Sequence, residues 1–289
     1  MRGARPLAAL EAALAEGAAL GAGETVVAGA SGGPDSTALA ALLVKAAHSA
    51  GATVVLAHVA HGVRPGAAQD EAVVLATGAA LRARVVTPAL PPGRADEARL
   101  RTERYAALAR AARDCGATRI FTAHHAEDQT ETVLLALFRG TGPDGLTGMA
   151  PARELEPGLT LVRPLLDVEP GELRRYCEAR GLAYALDPTN RDPGYRRNAV
   201  RAALADLRES FPRLDAAVAR CAAILREERA LTPRAALRAD LRTEVAAAGG
   251  TLRDLTFERL DAVARALEAG GRGRHFLRRG VELHIDGEK

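Results

Sequence analysis

The stretch Thr25–Ser36, Thr-Val-Val-Ala-Gly-Ala-Ser-Gly-Gly-Pro-Asp-Ser, constrains this chain more than any other. An apolar run (Val26, Val27, Ala28) stops at Ser31-Gly32-Gly33. Pro34 then opens an Ala/Leu-rich stretch whose Leu39, Leu42 and Leu43 fall on one helical face. Strand, glycine loop and helix start are the ingredients of an anion site. Two glycines let the backbone approach an oxyanion, and the unpaired N–H groups of the helix's first turn point at it. Pro34 suits the first helical position, and Ser31 and Ser36 add hydroxyl donors. An ordinary glycine-rich turn with a serine cap has the same composition, so the neighbouring residues decide between the two.

Two details narrow the choice. No lysine lies in or next to the loop, so the Walker A pattern is absent, and the G-x-G-x-x-G dinucleotide fingerprint is missing as well. The loop instead carries an acid, Asp35. A carboxylate beside phosphates repels them unless a divalent cation sits between, so Asp35 implies Mg²⁺, held directly or indirectly. Ser31-Gly32-Gly33-Pro34-Asp35-Ser36 resembles the pyrophosphate loop of the ATP pyrophosphatases, which cleave ATP to AMP and pyrophosphate.

With 289 residues, 48% of them hydrophobic, the chain can hold one large α/β domain and a smaller appendage. The net charge is only +3, yet the basic residues are almost all arginine; Lys45 and Lys289 are the only lysines. Arginine suits bidentate phosphate contacts, although codon bias gives the same enrichment. Cys115, Cys177 and Cys221 stand far apart with no C-x-x-C pair. That argues for a reducing compartment and against a cysteine-ligated zinc or iron–sulfur site. Glu11 and Glu16 interrupt the N-terminal apolar stretch, and the longest uncharged run, Ala46–Val63, holds His48, His58 and His61. Neither a secretory signal nor a membrane span is expected, and the protein reads as cytoplasmic.

Periodicity predicts a leading helix over Pro6–Leu20, then strands at Thr53–Val59, Arg84–Thr87, Ala117–Ala123 and Leu159–Val162. Between them it predicts helices at Gln69–Arg82, Ala95–Cys115 and Asp128–Phe138, and after the last strand a helix at Pro170–Arg180. Such alternation implies an α/β fold with a doubly wound parallel sheet, which binds ligands where its strands end. Arg139–Pro151 is too glycine-rich for an element and reads as a mobile loop over the site. From Pro212 the pattern turns helical (Leu214–Glu228, Pro233–Ala247, Thr256–Ala269), with one final strand at Gly280–Ile285. The expected division is a catalytic domain over 1–210 and a smaller, mainly helical domain over 211–289.

Three groups of side chains could carry chemistry. Asp128 and Glu131, at i and i+3 of a new helix after a strand, project from one face. They could bind an amine, hold Mg²⁺ or take a proton, or serve only the helix dipole. His58 and His61 have no third ligand beside them, which favours a place near a nucleotide or a structural role over zinc. Arg197 and Arg201 stand one helical turn apart, a spacing that can clamp a phosphate or carboxylate or belong to a solvated face.

Taken in order, these segments resemble the tRNA(Ile)-lysidine synthetases, which ligate lysine to the anticodon cytidine of an isoleucine tRNA. The resemblance begins with Ser31–Ser36, His58-Val-Ala-His-Gly-Val-Arg64, Glu97-Ala-Arg-Leu-Arg-Thr-Glu-Arg-Tyr105 and His124–Glu131. It continues through Arg139-Gly-Thr-Gly142, Arg163-Pro-Leu-Leu166, Asp187-Pro-Thr-Asn190 and Arg197-Asn-Ala-Val-Arg201. Glu127 stands where that family usually has an aspartate, Ala60 where a polar residue is common, and Ala202 where histidine often follows the second arginine. The C-terminal part looks like the family's short form.

The resemblance implies two steps, adenylation of the cytidine by ATP with Mg²⁺ and displacement of AMP by lysine. ATP would lie on Ser31, Gly32, Gly33, Pro34, Asp35 and Ser36, with His58 and His61 near the nucleotide. Asp128 and Glu131 would bind lysine, Arg197 and Arg201 would hold the activated nucleotide, and these four with Asp35 form the implied catalytic set. The implied partners are tRNA(Ile) with a CAU anticodon and L-lysine. The C-terminal domain would contact tRNA, and a homodimer is left open. A thiolating relative often needs paired cysteines that this chain lacks, and a non-catalytic ATP- or RNA-binding module would not need Asp35, Asp128 and Glu131.

Overall fold

The computed structural model describes residues 5–59, 67–90, 97–141, 143–186, 196–229, 237–238, 240–241, 243, 245, 257–270, 273–278 and 281–285. The chain forms two compact units, one of Met1–Thr141 with Gly148–Arg220 and one of Gly142–Thr147 with Cys221–Lys289. The division between Arg220 and Cys221 lies beyond the expected 210/211 boundary. That boundary coincides with the end of a helix at Ser210.

The first unit opens with helix α1 (Leu7–Ala18), strand β1 (Thr25–Gly29), α2 (Pro34–Ala50) and β2 (Thr53–Ala57). Then come α3 (Ala67–Leu81), β3 (Arg84–Val86), α4 (Glu97–Asp114), β4 (Arg119–Phe121) and α5 (Ala126–Leu137). After α6 (Pro143–Leu146), which belongs to the second unit, follow β5 (Ala152–Glu156), β6 (Leu159–Val162), α7 (Pro170–Ala179), α8 (Arg196–Ser210) and α9 (Leu214–Arg229), whose residues from Cys221 on belong to the second unit. The sheet order is β3-β2-β1-β4-β6-β5. Every pairing is parallel except β5 with β6. Central strands of a parallel sheet are buried on both faces, which is why Val26, Val27 and Ala28 read as an unbroken apolar run. Val26 and Ala28 pack with Leu39, Leu42 and Leu43 of α2, Leu10 and Leu14 of α1 and Leu173 of α7. Val27 faces the opposite layer, where Ala107, Leu108, Ala111 and Ala112 of α4 meet Val55, Ile120 and Leu161.

Two elements in this part of the chain depart from the sequence reading. Strand β5 occupies the sheet edge where no strand is expected; Ala-Arg-Glu-Leu-Glu lacks an apolar face because charged, exposed residues suit an edge. The glycine-rich stretch Arg139–Pro151 contains the short helix α6. Its far end is also docked, because Met149 exchanges two hydrogen bonds with the buried Gln129 side chain on α5 (2.8 and 3.1 Å).

In the second unit, α10 (Phe257–Glu268) packs Leu260, Val263 and Ala264 against Leu241 and Val245. The buried Arg238 is paired with Asp261 at 2.8 Å and Glu227 at 3.1 Å. An antiparallel hairpin, β7 (Gly273–Arg278) and β8 (Val281–Ile285), stands where a single strand is expected. Among the described residues no helix is long and apolar enough to cross a membrane.

Candidate active site

The strand order reverses between β1 and β4, and a doubly wound sheet opens a crevice at such a point beyond the strands' carboxyl ends. The loop Ala30–Gly33 leaves β1 there, and His124 and His125 leave β4. The first loop is wound around one hydroxyl. Ser36 Oγ donates to Gly33 O (3.0 Å) and accepts from the Ser31 amide (3.1 Å), while Ser31 Oγ lies 3.1 Å away. Gly32 sits at φ +84°, and a Cβ there would meet Asp70 O at 2.9 Å. Its carbonyl accepts from Ala185 N–H at 2.8 Å. Gly33 caps α2 and Pro34 takes the first helical position, leaving the next amides of the turn without helical partners.

His58 is buried beneath this loop, its Nδ1 2.9 Å from Ala30 O, so the ring fastens the junction of β1 and loop. His61 lies outside the described residues. Arg197 is placed in α8, but its side chain also lies outside the described residues.

Asp35, in the first turn of α2, faces the start of α5. His125 caps α5 and is 7% exposed; its Nε2 lies 3.6 Å from Asp35 Oδ2 and 3.4 Å from Asp128 Oδ2. The His125 amide also donates to Asp128 Oδ2 at 3.2 Å. Leu165 bridges His125 in parallel, and the Ala126 amide donates to Val168 O at 3.0 Å, so the segment after β6 fixes the helix start. Burial raises the Asp35 pKa above the ordinary carboxylate value; His125 opposes the shift and Asp128 adds to it. Asp35 Oδ1 is buried without a hydrogen-bond partner among the described residues. A hard cation would satisfy that oxygen. Among the described residues no group of three or more metal-type ligands occurs.

Glu131 and Arg201 meet each other. Arg201 Nε donates to Glu131 Oε1 at 2.7 Å and Nη2 to Oε2 at 3.2 Å, and Nη2 lies 3.8 Å from Asp128 Oδ1. Glu131 is 0% exposed. Glu127 turns elsewhere, 3.6 Å from Arg208, which also grips Asp215 at 2.8 and 3.0 Å. The extra methylene of glutamate gives Glu127 reach for that outer network. Sequence reasoning missed His125, Gln129 and the Arg208–Asp215 pair. The one available signal for His125 was its place immediately before a helix that opens with acids.

The family described as "PP-loop domain" matches residues 8–207. Proteins named tRNA(Ile)-lysidine synthase are similar over much of the chain. The one from Ralstonia nicotianae is 44% identical over 72% of this chain and 46% of its own length. The one from Symbiobacterium thermophilum is 40% identical over 71% of this chain and 44% of its own length. This chain therefore spans less than half of those two relatives. The one from Methylobacterium nodulans is 38% identical, with 92% of this chain and 89% of the relative covered. Among solved structures, a U34-tRNA thiolase from Methanococcus maripaludis with its [4Fe-4S] cluster has a TM-score of 0.63 at 15% identity, covering 73% of this chain and 76% of the other. That likeness concerns the fold.

Proposed function

The chain belongs to the tRNA(Ile)-lysidine synthase family of PP-loop proteins, and from that premise we propose that it ligates L-lysine to C2 of the wobble cytidine of tRNA(Ile) bearing the CAU anticodon. ATP is consumed, and AMP and pyrophosphate are released, in the cytoplasm. The observation that supports this reading most is the convergence of Asp35 and Asp128 on His125 where β1 and β4 end.

In the first step the amides of the α2 first turn and the Ser31 hydroxyl bind phosphate oxygens of ATP. Cytidine O2 attacks the α-phosphorus; the new O–P bond forms as the bond to pyrophosphate breaks. Asp35 would hold Mg²⁺, and the bound ion would supply charge stabilisation for the departing pyrophosphate. In the second step the lysine ε-amine attacks C2, the C2–O bond breaks, and AMP leaves with that oxygen. An amine with a solution pKa near ~10.4 must first lose its proton. We assign Asp128 to bind the ammonium and assist that loss.

Glu131 shares the lysine pocket by another route. Both its oxygens are engaged by Arg201, so it fixes the guanidinium and adds negative charge behind Asp128. Arg201, with Arg197, is assigned to the activated nucleotide. Residues 211–289 are assigned to further contacts with tRNA phosphates.

The test is the fate of ATP. With tRNA, lysine and Mg²⁺ present, AMP and pyrophosphate should accumulate in equal amounts. ADP and orthophosphate as main products would contradict the assignment.

A further inference from the structure

We propose that Arg101, Arg153 and Arg163, gathered around Tyr105, form a second oxyanion site, which takes a phosphoryl group apart from the one on the Ser31–Ser36 loop. Three separate stretches of chain build it. Tyr105 and Arg101 come from α4, Arg153 from the edge strand β5, and Arg163 from the residue that follows β6. The guanidinium carbons of Arg101 and Arg153 lie 5.8 and 5.5 Å from the centroid of the Tyr105 ring. Arg163 is 3% exposed; its Nη1 donates to Ala150 O at 2.8 Å, and the Tyr105 side chain lies close enough to act on its charge.

The charge balance of the cluster differs from that of the arginines paired with carboxylates. Among the described residues several other buried or half-buried arginines have a carboxylate: Glu131 for Arg201, Asp215 for Arg208, Asp261 for Arg238. Among the described residues none of Arg101, Arg153 and Arg163 has one, and the buried Arg163 Nε has no hydrogen-bond partner there either. Burial lowers the Arg163 pKa; Tyr105 opposes the shift, and the like charges of Arg153 and Arg101 add to it. Tyr105 offers only a phenol and a ring face, which attract cations weakly compared with an anion. A buried cation beside two further cations is costly unless an anion joins them. Guanidinium forks match the oxygens of a phosphoryl group two at a time.

The location gives the site a use. Arg163 follows the carboxyl end of β6, on the edge of the sheet where β1 and β4 also end, and β6 is two strands from β1. Two strand spacings are about 10 Å. A group bound here therefore lies beside the reacting crevice, as a phosphodiester flanking the modified cytidine would, or the phosphates of a leaving pyrophosphate. The tRNA source rests on the function proposed above; the oxyanion chemistry does not.

The experiment uses the full chain carrying Arg101→Gln and Arg153→Gln together. Both side chains are exposed, so the exchange spares the core. Two measurements are made: tRNA affinity across a salt series, and pyrophosphate affinity by calorimetry. For a tRNA phosphate the slope of log affinity against log salt should fall by roughly 1, with about tenfold weaker binding at low salt and pyrophosphate binding unchanged. Weaker pyrophosphate binding with an unchanged tRNA slope would keep the oxyanion site and assign it to the small anion. If the wild-type protein binds no tRNA but holds pyrophosphate through these arginines, the site stands and the tRNA reading fails. If the variant matches the wild type in both measurements, the site is refuted.

Discussion

Arg201 on α8 holds Glu131 on α5 through two parallel hydrogen bonds, Nε to Oε1 at 2.7 Å and Nη2 to Oε2 at 3.2 Å. Glu131 is wholly buried, and this fork engages both of its oxygens. Removing the guanidinium takes the bidentate cationic partner from a buried carboxylate. Arg201→Ala should therefore cost about 3 kcal/mol of stability, the low end for a broken buried pair because Arg201 is partly exposed. Arg201→Lys keeps the charge, loses the fork, and should fall between. Urea unfolding checks both: midpoints should drop at an unchanged slope, and a wild-type midpoint in Arg201→Ala would show that the pair contributes nothing in solution.

Asp35 should show a conflict between stability and activity. Burial raises its folded-state pKa against the pull of His125 and with the push of Asp128. Its stability contribution is thus full below the unfolded carboxylate pKa and is lost as pH rises through the higher folded value. Asp35→Asn removes that loss. The variant should melt above the wild type at neutral pH and converge with it in acid, while ATP cleavage falls by roughly 10²-fold. A melting difference that grows on acidification would contradict the sign.

Gly32 is constrained by its conformation and by its neighbour. With φ at +84° and Asp70 O only 2.9 Å from where a Cβ would stand, alanine meets both strain and a backbone clash. Gly32→Ala should cost about 1–3 kcal/mol, and ATP affinity should fall with it because the loop amides move. Thermal unfolding paired with nucleotide titration tests this; normal affinity in a destabilised variant would separate the loop from nucleotide binding.

The carboxylates on α5 should differ in which step they affect. Asp128→Asn removes the partner assigned to the lysine ammonium, a charge-assisted bond typically worth ~1.5–3 kcal/mol. It should weaken lysine use while sparing much of the pyrophosphate release that occurs without lysine. Glu131→Gln frees Arg201 and should impair both steps. Single-turnover assays with lysine withheld and then added resolve the two, and an Asp128→Asn variant unable to adenylate tRNA would remove Asp128 from the lysine pocket.

Legibility in the sequence followed the physics of each element. The β1–loop–α2 unit was readable because the apolar run, the glycines, Pro34 and the helical Leu39–Leu42–Leu43 face all agree. Strand β5 was not, because its charged edge residues carry no period-two pattern. In the site, Asp35, Asp128, Glu131 and Arg201 could each be singled out by type and spacing. Their pairings could not. The Arg201–Glu131 contact joins residues 70 apart, and His125 gains significance only when Asp35 arrives from another strand end. His58 reads as a loop histidine, but folding buries it under Ala30.

The most direct test of the central claim is transfer of labelled lysine. The full chain is incubated with ATP, Mg²⁺, radiolabelled L-lysine and tRNA(Ile) transcript with a CAU anticodon, and label is counted in acid-precipitable RNA. The account predicts one lysine joined per AMP released, stable to mild alkali as a carbon–nitrogen bond and absent when the wobble cytidine is replaced by uridine. AMP formation without label in RNA, or label that mild alkali removes, would contradict it.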